Sequence, residues 1–224
     1  MKWQDERILR RLIRVVDPAD KILDAGCGLG RNMTFLKASG FANVLGVDIN
    51  PRMVEACKSF GHSALTKEEF SASDELYDVL ILSHVIEHLD YKQFQSTLEF
   101  YLDRCKPLAT VIILTPVLYS SFYCDVDHIK PYYPEAILTL FSDSNSSRQY
   151  ESEYKWTLED IYFRRQTLCP LFLRGRYVNS FLPRLFFKLL SLMFKALFVL
   201  SFGLLGFTTG YGARFRSQRR VRDS

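Results

Sequence analysis

In the first half of the chain, segments with the hydrophobic pattern of buried strands alternate with segments that have the hydrophobic pattern of helices. Short apolar runs, as expected for buried strands, cover residues 20–25, 43–48, 62–66, 77–84 and 109–115. Apolar positions with helical spacing lie between them, in residues 31–39, 51–60 and 91–105. Alternation of strands and helices predicts right-handed crossovers and a parallel sheet covered on both faces. We therefore expect an α/β fold with a doubly wound, mostly parallel sheet.

The pattern also divides the chain into three segments. Residues 1–20 are predicted to form a basic amphipathic helix, because apolar residues recur at helical spacing between arginines. Residues 21–145 form the α/β core and end with a helix near 134–141 and a polar loop at 142–147. Residues 146–224 complete the sheet with an antiparallel strand pair near 148–156 and 211–218, and they contain an apolar helical extension.

The extension at residues 185–213 is strongly apolar, and from 196 to 213 it contains no charged residue. These 18 residues are fewer than the ~20 that a membrane span needs. A helix lying in a membrane interface fits better, with Lys188 and Lys195 directed towards lipid phosphates. The alternatives are packing on the protein's own sheet or against a second subunit, with a true span third. We expect residues 183–213 to make peripheral membrane contact.

Composition sets broad limits on function. With 224 residues, 48% hydrophobic and 24% charged, the chain has the size and balance of one globular domain. Its net charge of +4 does not indicate a nucleic-acid partner. The five cysteines contain no C-x-x-C pair and are odd in number, which favours reduced thiols in the cytoplasm. The charged amino terminus is unlike a signal peptide.

A glycine turn after the first predicted strand is the most specific feature. Gly26, Gly28 and Gly30 give the spacing G-x-G-x-G, whereas pyrophosphate-binding turns have G-x-G-x-x-G. Asp24 at the strand end would repel a phosphate but suits an ammonium group. This combination indicates S-adenosylmethionine, which has an amino-acid end, a sulfonium and a ribose but no phosphate. Asp48, about 20 residues further on at the end of the second strand, is placed to accept hydrogen bonds from the ribose.

Two stretches, LDAGCGLGRN from Leu23 and GVDINPRMVEACKS from Gly46, resemble the first two motifs of class I S-adenosylmethionine-dependent methyltransferases. The resemblance covers roughly residues 20–140 and implies a seven-stranded, Rossmann-like methyltransferase sheet. Ile49 would flank the adenine, with Leu65 and Thr66 near its amino edge. The predicted cofactor-binding residues are Asp24, Gly26, Cys27, Gly28, Gly30, Asp48, Ile49, Leu65, Thr66 and Ser83.

The stretch YDVLILSHVIEHL from Tyr77 and the stretch DHIKPYY from Asp127 resemble acceptor-side segments of the same family. His128 or His88 could act as a general base, with Glu87 beside them. Alternatively, a divalent metal would be held by His84, Glu87, His88 and His128. That set is similar to the E-x-x-E-H and distant His of small-RNA 2′-O-methyltransferases and of ubiquinone-biosynthesis O-methyltransferases, with His84 at the first glutamate position. In the third alternative, Glu87 and His88 only shape the pocket.

These features predict an S-adenosylmethionine-dependent methyltransferase that modifies a hydroxyl of a membrane-associated sugar or lipid. A soluble small-molecule O- or N-methyltransferase is the first alternative, in which residues 183–213 close over the pocket. A non-catalytic binding protein on the same fold is the second. A nucleic-acid acceptor is disfavoured because the basic tail at 214–222 is short. We expect the protein in the cytoplasm, with the inner face of a membrane as the more specific location.

Overall fold

The computed structural model describes residues 2–141, 152–167 and 180–220. Seven strands form one sheet in the order β3-β2-β1-β4-β5-β7-β6. The strands are β1 (Ile22–Ala25), β2 (Val44–Asp48), β3 (Ser63–Thr66), β4 (Tyr77–Ser83), β5 (Cys105–Pro116), β6 (Tyr154–Thr167) and β7 (Gly206–Arg219). The helices are α1 (Lys2–Leu12), α2 (Arg31–Ala38), α3 (Pro51–Ser59), α4 (Lys67–Ser71), α5 (Tyr91–Leu102), α6 (Pro134–Phe141) and α7 (Phe181–Leu200).

The first five strands are parallel, and β7 pairs antiparallel with both β5 and β6. The predicted fold class is therefore confirmed. The strand order changes direction between β1 and β4. Ligands of doubly wound sheets bind beyond the carboxyl ends of the strands at such a point, so the turns that follow β1 and β4 are in the position of a binding site.

Successive residues of the central strands pack on opposite faces of the sheet. Ile81 and Ile112 belong to the cluster that α1 and α2 cover, which contains Ile8, Leu12 and Leu36. Their neighbours Leu80 and Val111 belong to the larger cluster on the other face, under α5 and α6. All of these side chains are almost completely buried, as a parallel sheet with two covered faces requires.

Some predicted boundaries were wrong. The fifth strand begins at Cys105 and not near 109, so α5 ends at Leu102 and not near 105. Helix α4 was not predicted, because its five residues are too few to show a helical period. It begins with a capping box in which Thr66 and Glu69 satisfy each other's backbone N–H groups.

The carboxyl-terminal strand pair is longer than predicted. Strand β6 covers Tyr154–Thr167 and not 148–156, and β7 begins at Gly206 and not near 211. The predicted loop at 142–147, the start of the predicted strand at 148 and the boundary at 145/146 lie outside the described residues. The same holds for Cys169.

The apolar extension divides into two elements, which corrects the prediction of one helical segment. Residues 206–213 belong to β7, which is buried between β5 and β6. Helix α7 contains no buried residue, and near its carboxyl end Phe198 lies against Gly206. Among the helices in the described part of the chain, none is long and apolar enough to cross a membrane.

Helix α1 lies directly on β7, and a glycine makes this close approach possible. A Cβ atom at Gly212 would overlap Cγ2 of Ile8 and would lie 3.2 Å from Cδ1 of Leu12. Both α1 side chains are in the buried cluster. The missing side chain at Gly212 therefore sets the distance between α1 and the sheet.

We expect the substitution Gly212→Ala to lower the free energy of unfolding by about 1–3 kcal/mol, because the added methyl group overpacks this contact. Urea denaturation of the variant measures the loss. In an Ile8→Ala background the overlapping methyl group is absent, so the same substitution should cost much less. An equal cost in both backgrounds would contradict this contact as the cause.

Candidate active site

The glycine turn after β1 is built on left-handed backbone conformations. The φ angles of Gly26, Gly28 and Gly30 are 74°, 52° and 75°, a region that favours glycine. A Cβ at Gly26 would overlap Val85, and one at Gly30 would lie 2.7 Å from Sγ of Cys57. At Gly28 a Cβ would meet no atom within 4 Å. The turn is thus packed behind its first and third glycines and open beside the second, where a ligand can approach the backbone.

Asp24 lies beneath this turn with an unsatisfied acceptor. Its side chain is fully buried, and Oδ1 accepts a hydrogen bond of 3.1 Å from Asn32. Its Oδ2 has no partner. Burial raises the pKa of Asp24 to about 7, with a further rise from the Asp48 charge and only partial opposition from Asn32. A buried, unpaired carboxylate oxygen is costly, and the ammonium group of S-adenosylmethionine would satisfy it.

Asp48 ties the glycine turn to the next helix. Its Oδ2 accepts a hydrogen bond from the Gly28 N–H at 2.9 Å, and its Oδ1 accepts one from the Asn50 N–H at 2.8 Å. Asn50 in turn caps α3 by accepting from the Arg52 N–H. Each carboxylate oxygen of Asp48 can accept a further hydrogen bond, as the predicted contact with ribose hydroxyls requires.

The other predicted cofactor residues lie at the same end of the sheet. Leu65 and Thr66 pair in register with Val47 and Asp48. Thr66 caps α4, and its hydroxyl oxygen accepts a hydrogen bond from the Glu69 N–H. Among the remaining predicted residues, Ile49 is 76% exposed, Cys27 is buried and Ser83 closes β4. Their contacts with the cofactor remain predictions.

His84, directly after β4, is held between two carboxylates. It has a φ of 58°, in the left-handed region. Its Nδ1 lies 2.9 Å from Glu87 Oε1, and its Nε2 lies 3.3 Å from Asp5 Oδ2. Burial alone would lower the pKa of His84, but the two carboxylates outweigh it and raise this pKa to about 9. At neutral pH His84 is therefore a cation.

Asp5 joins this turn to α1 and β6. Its Oδ1 accepts a 2.6 Å hydrogen bond from Arg164, and both side chains are buried. The charges of Arg164 and His84 hold the pKa of Asp5 below its usual value despite burial. Neither residue was predicted from the sequence. A signal existed for Asp5, which is an acidic residue in helical register with the apolar stripe of Ile8 and Leu12.

His88 and His128 lie together, with ring centroids 4.9 Å apart. Nδ1 of His88 lies 3.0 Å from the Asp127 carbonyl, and Nδ1 of His128 lies 2.8 Å from the Phe122 carbonyl. A carbonyl only accepts, so in both rings Nδ1 carries a proton and the Nε2 of the neutral ring has a free lone pair. His128 Nε2 is 3.7 Å from Asp125 Oδ2, beyond hydrogen-bond distance.

Three of the four predicted metal ligands come together. Ligand atoms of Glu87, His88 and His128 all lie within 4.8 Å of one another. Within the described residues, these three form the group that could hold a metal ion. His84, the fourth predicted ligand, is outside this group. Its Nδ1 and Nε2 lie 2.9 and 3.3 Å from the carboxylates of Glu87 and Asp5, and Nη1 of Arg164 lies 3.5 Å from Nε2. Glu87 is fully buried and also accepts a hydrogen bond from Thr115.

Comparisons with known proteins identify the family. A family model described as a methyltransferase domain matches residues 2–174. A ubiquinone biosynthesis O-methyltransferase of Rickettsia felis is 35% identical over 103 residues, which cover 42% of this chain. The chain spans only 41% of the length of that relative.

Two solved structures show the same fold. A SAM-dependent methyltransferase from Archaeoglobus fulgidus has a TM-score of 0.61 at 22% identity, with 96% of this chain and 94% of that chain covered. A putative sarcosine dimethylglycine methyltransferase from Galdieria sulphuraria also has a TM-score of 0.61, at 14% identity, with 97% of this chain and 85% of that chain covered. Since the family model covers most of the chain, the protein belongs to the class I S-adenosylmethionine-dependent methyltransferases.

Proposed function

We propose that the protein methylates a hydroxyl oxygen of a membrane-associated sugar or lipid intermediate. The observation that carries the chemical part is the histidine pair His88 and His128, whose Nε2 lone pairs lie together on segments that follow the carboxyl ends of β4 and β5. Transfer to oxygen requires a base for the hydroxyl proton. The relative from Rickettsia felis is named as an O-methyltransferase, which also favours oxygen as the methylated atom.

The residues near β1 and β2 would hold the cofactor. Asp24 would bind the ammonium group, Asp48 the ribose, and the open backbone at Gly28 would allow close approach. When bound, S-adenosylmethionine would supply an activated methyl group for transfer to the acceptor oxygen, and the electron pair of the broken carbon–sulfur bond would remain on sulfur. The chain's remaining tasks are to orient the acceptor and to remove its proton.

His128 is the proposed base. The hydroxyl proton moves to Nε2, while Nδ1–H stays bonded to the Phe122 carbonyl and keeps the ring oriented. The ring also packs against Phe122, with centroids 4.7 Å apart. The acidic side chains of Asp125 and of the buried Glu87 lie near the His128 ring, and their charges would stabilise the imidazolium that forms.

A divalent metal is the second candidate for activating the acceptor, and the spacing of Glu87, His88 and His128 favours it. Imidazole nitrogens oriented by backbone carbonyls are typical metal ligands. These residues would hold the ion, which would polarise the hydroxyl and lower its pKa. Both oxygens of Glu87 already have partners, His84 and Thr115, which favours the general base.

The membrane part of the proposal depends on α7. Its exposed apolar side chains include Phe181, Leu182, Leu185, Phe186, Leu189, Leu192, Met193, Leu197, Val199 and Leu200. Apolar area of this extent is uncommon on a soluble monomer's surface. From Ile161 to Arg222 the chain contains no acidic residue. An apolar and basic helix of this kind suits an anionic membrane surface.

If Asp24 binds the ammonium group, the affinity for the cofactor should depend on pH, because Asp24 must be ionised. Its pKa is raised to about 7, and a bound ammonium group favours the ionised form. Affinity for S-adenosylmethionine should therefore fall as pH decreases below 7, by up to about tenfold per unit. Calorimetric titrations between pH 5.5 and 7.0 at constant ionic strength measure this slope.

Two variants serve as controls for that titration. Asp24→Asn should bind more weakly and without the slope. Asp48→Ala should lose about 1.5–3 kcal/mol of binding free energy at pH 7, because a charged hydrogen-bond partner is removed. It should keep a pH dependence that begins at lower pH, because the Asp48 charge no longer raises the pKa of Asp24. A wild type whose affinity is independent of pH would contradict the role of Asp24.

The general-base and metal hypotheses predict different effects of a chelator on enzyme activity. His128→Gln should lower kcat by about 10²–10⁴-fold and leave cofactor affinity unchanged, because the base is lost. Asp127→Asn, which keeps the backbone carbonyl bonded to His88, is the control and should remain active. Wild-type activity should survive EDTA. Loss of activity that an added divalent cation restores would instead support the metal.

The acceptor is tested with labelled S-adenosylmethionine and separated membrane and soluble extracts. We expect the label in a lipid-extractable product that forms only with membranes. Replacement of Leu189 and Leu192 by serine should reduce this transfer without changing cofactor affinity. Leu76→Ser, an equally polar change at the amino end of β4, is the matched control. Label found only in soluble products would favour the small-molecule alternative, and a folded protein that binds cofactor but labels neither extract would favour a binding protein.

A further inference from the structure

A second pocket, of about 520 Å³, lies between α1, β6 and the carboxyl end of α7. We propose that it binds the phosphate or diphosphate of a lipid and the first part of its apolar chain. The proposal rests on the membrane-associated acceptor proposed above and adds the chemistry that holds it. The volume is within the range of small-ligand sites.

Three arginines make the pocket cationic. Arg7 and Arg11 lie one turn apart on α1, and Arg165 comes from β6. In the described ranges, none of these three guanidinium groups has a carboxylate partner. The acidic residues closest along the chain to the two arginines of α1 are already engaged, Asp5 with Arg164 and His84 and Glu6 with Arg31.

Aromatic rings position two of these arginines. Arg7 lies over Trp3 at 5.3 Å and Arg11 lies over Tyr162 at 5.1 Å. Stacking occupies the face of a guanidinium and leaves its N–H edge free to donate. Several such edges around one cavity match the oxygens of a phosphate, which accepts paired hydrogen bonds. A dianionic ligand would also relieve the repulsion between the unpaired cations.

The rest of the lining is apolar and leads to the surface of α7. Phe198, Val199 and Phe202 form the wall on that side, and Phe163 stands on β6. Phe202 is 97% exposed and Val199 is 70% exposed. A free sugar phosphate would leave this wall in water, whereas a hydrocarbon chain would cover it. Cations beside exposed apolar surface thus indicate a phosphorylated lipid.

The pocket is connected to the reaction end of the sheet through α1. Gln4 lines the pocket and donates to the Arg165 carbonyl, while its neighbour Asp5 contacts His84 and Arg164. The same turn of α1 therefore faces both regions. A lipid held by its phosphate at Arg7 and Arg165 would keep the group attached to that phosphate near the acceptor side of the site.

Farnesyl diphosphate, pyrophosphate and farnesol are suitable probes, because they separate the two parts of the expected ligand. In calorimetric titrations of the full chain, farnesyl diphosphate should bind at least about tenfold more tightly than either of the others. Arg7→Gln and Arg165→Gln should each weaken its binding by roughly tenfold, because a charged hydrogen-bond donor is lost. Binding of farnesol should not change.

Arg10→Gln is the matched control, since Arg10 is exposed on the same helix but lies over Phe35, outside the pocket. It should bind farnesyl diphosphate like the wild type. Equal affinity for farnesol and farnesyl diphosphate, or arginine variants that bind normally, would overturn the proposal. Pyrophosphate that binds as tightly as farnesyl diphosphate would overturn its lipid part.

Titration of S-adenosylmethionine into the same proteins separates this proposal from the proposed function. If the arginine variants lose farnesyl diphosphate but keep the cofactor, the pocket is supported whatever the acceptor is. If the wild type binds farnesyl diphosphate but not the cofactor, the methyltransferase proposal fails and the pocket stands. If it binds the cofactor only, the pocket proposal fails alone.

Discussion

The buried ion pair between Asp5 and Arg164 is the constraint on which the two functional regions depend. Charges removed from water are stable only when they are paired and hydrogen bonded. Asp5 meets this requirement by contacting Arg164 on β6 and His84 after β4. Loss of either partner would leave an uncompensated charge in the interior, so α1 is fixed in one position. That position places Arg7 and Arg11 at the pocket between α1, β6 and α7, and it holds the turn that carries Glu87.

Two buried carboxylates divide the reaction site into sides with different electrostatics. Asp24 has one unpartnered oxygen and a raised pKa, so the cofactor side is short of one cation. Glu87 is also fully buried, but it is matched by His84 and Thr115. This arrangement favours a cationic group at the glycine turn, and it leaves Nε2 of His88 and of His128 without a hydrogen bond to Glu87.

The apolar carboxyl-terminal third shows that composition alone does not determine whether a segment is buried or exposed. Helix α7 and strand β7 come from one continuous apolar segment, yet α7 has no buried residue and most of β7 is buried between β5 and β6. The difference comes from partners distant in sequence, since β7 pairs with β5 and β6 and its Gly212 admits α1. Apolar side chains without such partners remain available to a membrane.

The sequence by itself determined the fold class, the glycine turn with Asp24 and Asp48, and the histidines near β4, because these depend on local period, turn chemistry and strand order. It did not determine the limits of β6 and β7, the exclusion of His84 from the metal-type cluster, or the partnership of Asp5 with Arg164. Those depend on contacts between residues far apart in the chain, such as Asp5 with Arg164 and β6 with β7. Only tertiary packing decides them, because the pairing of buried charges and the register of a central strand are set by neighbours that no local pattern encodes.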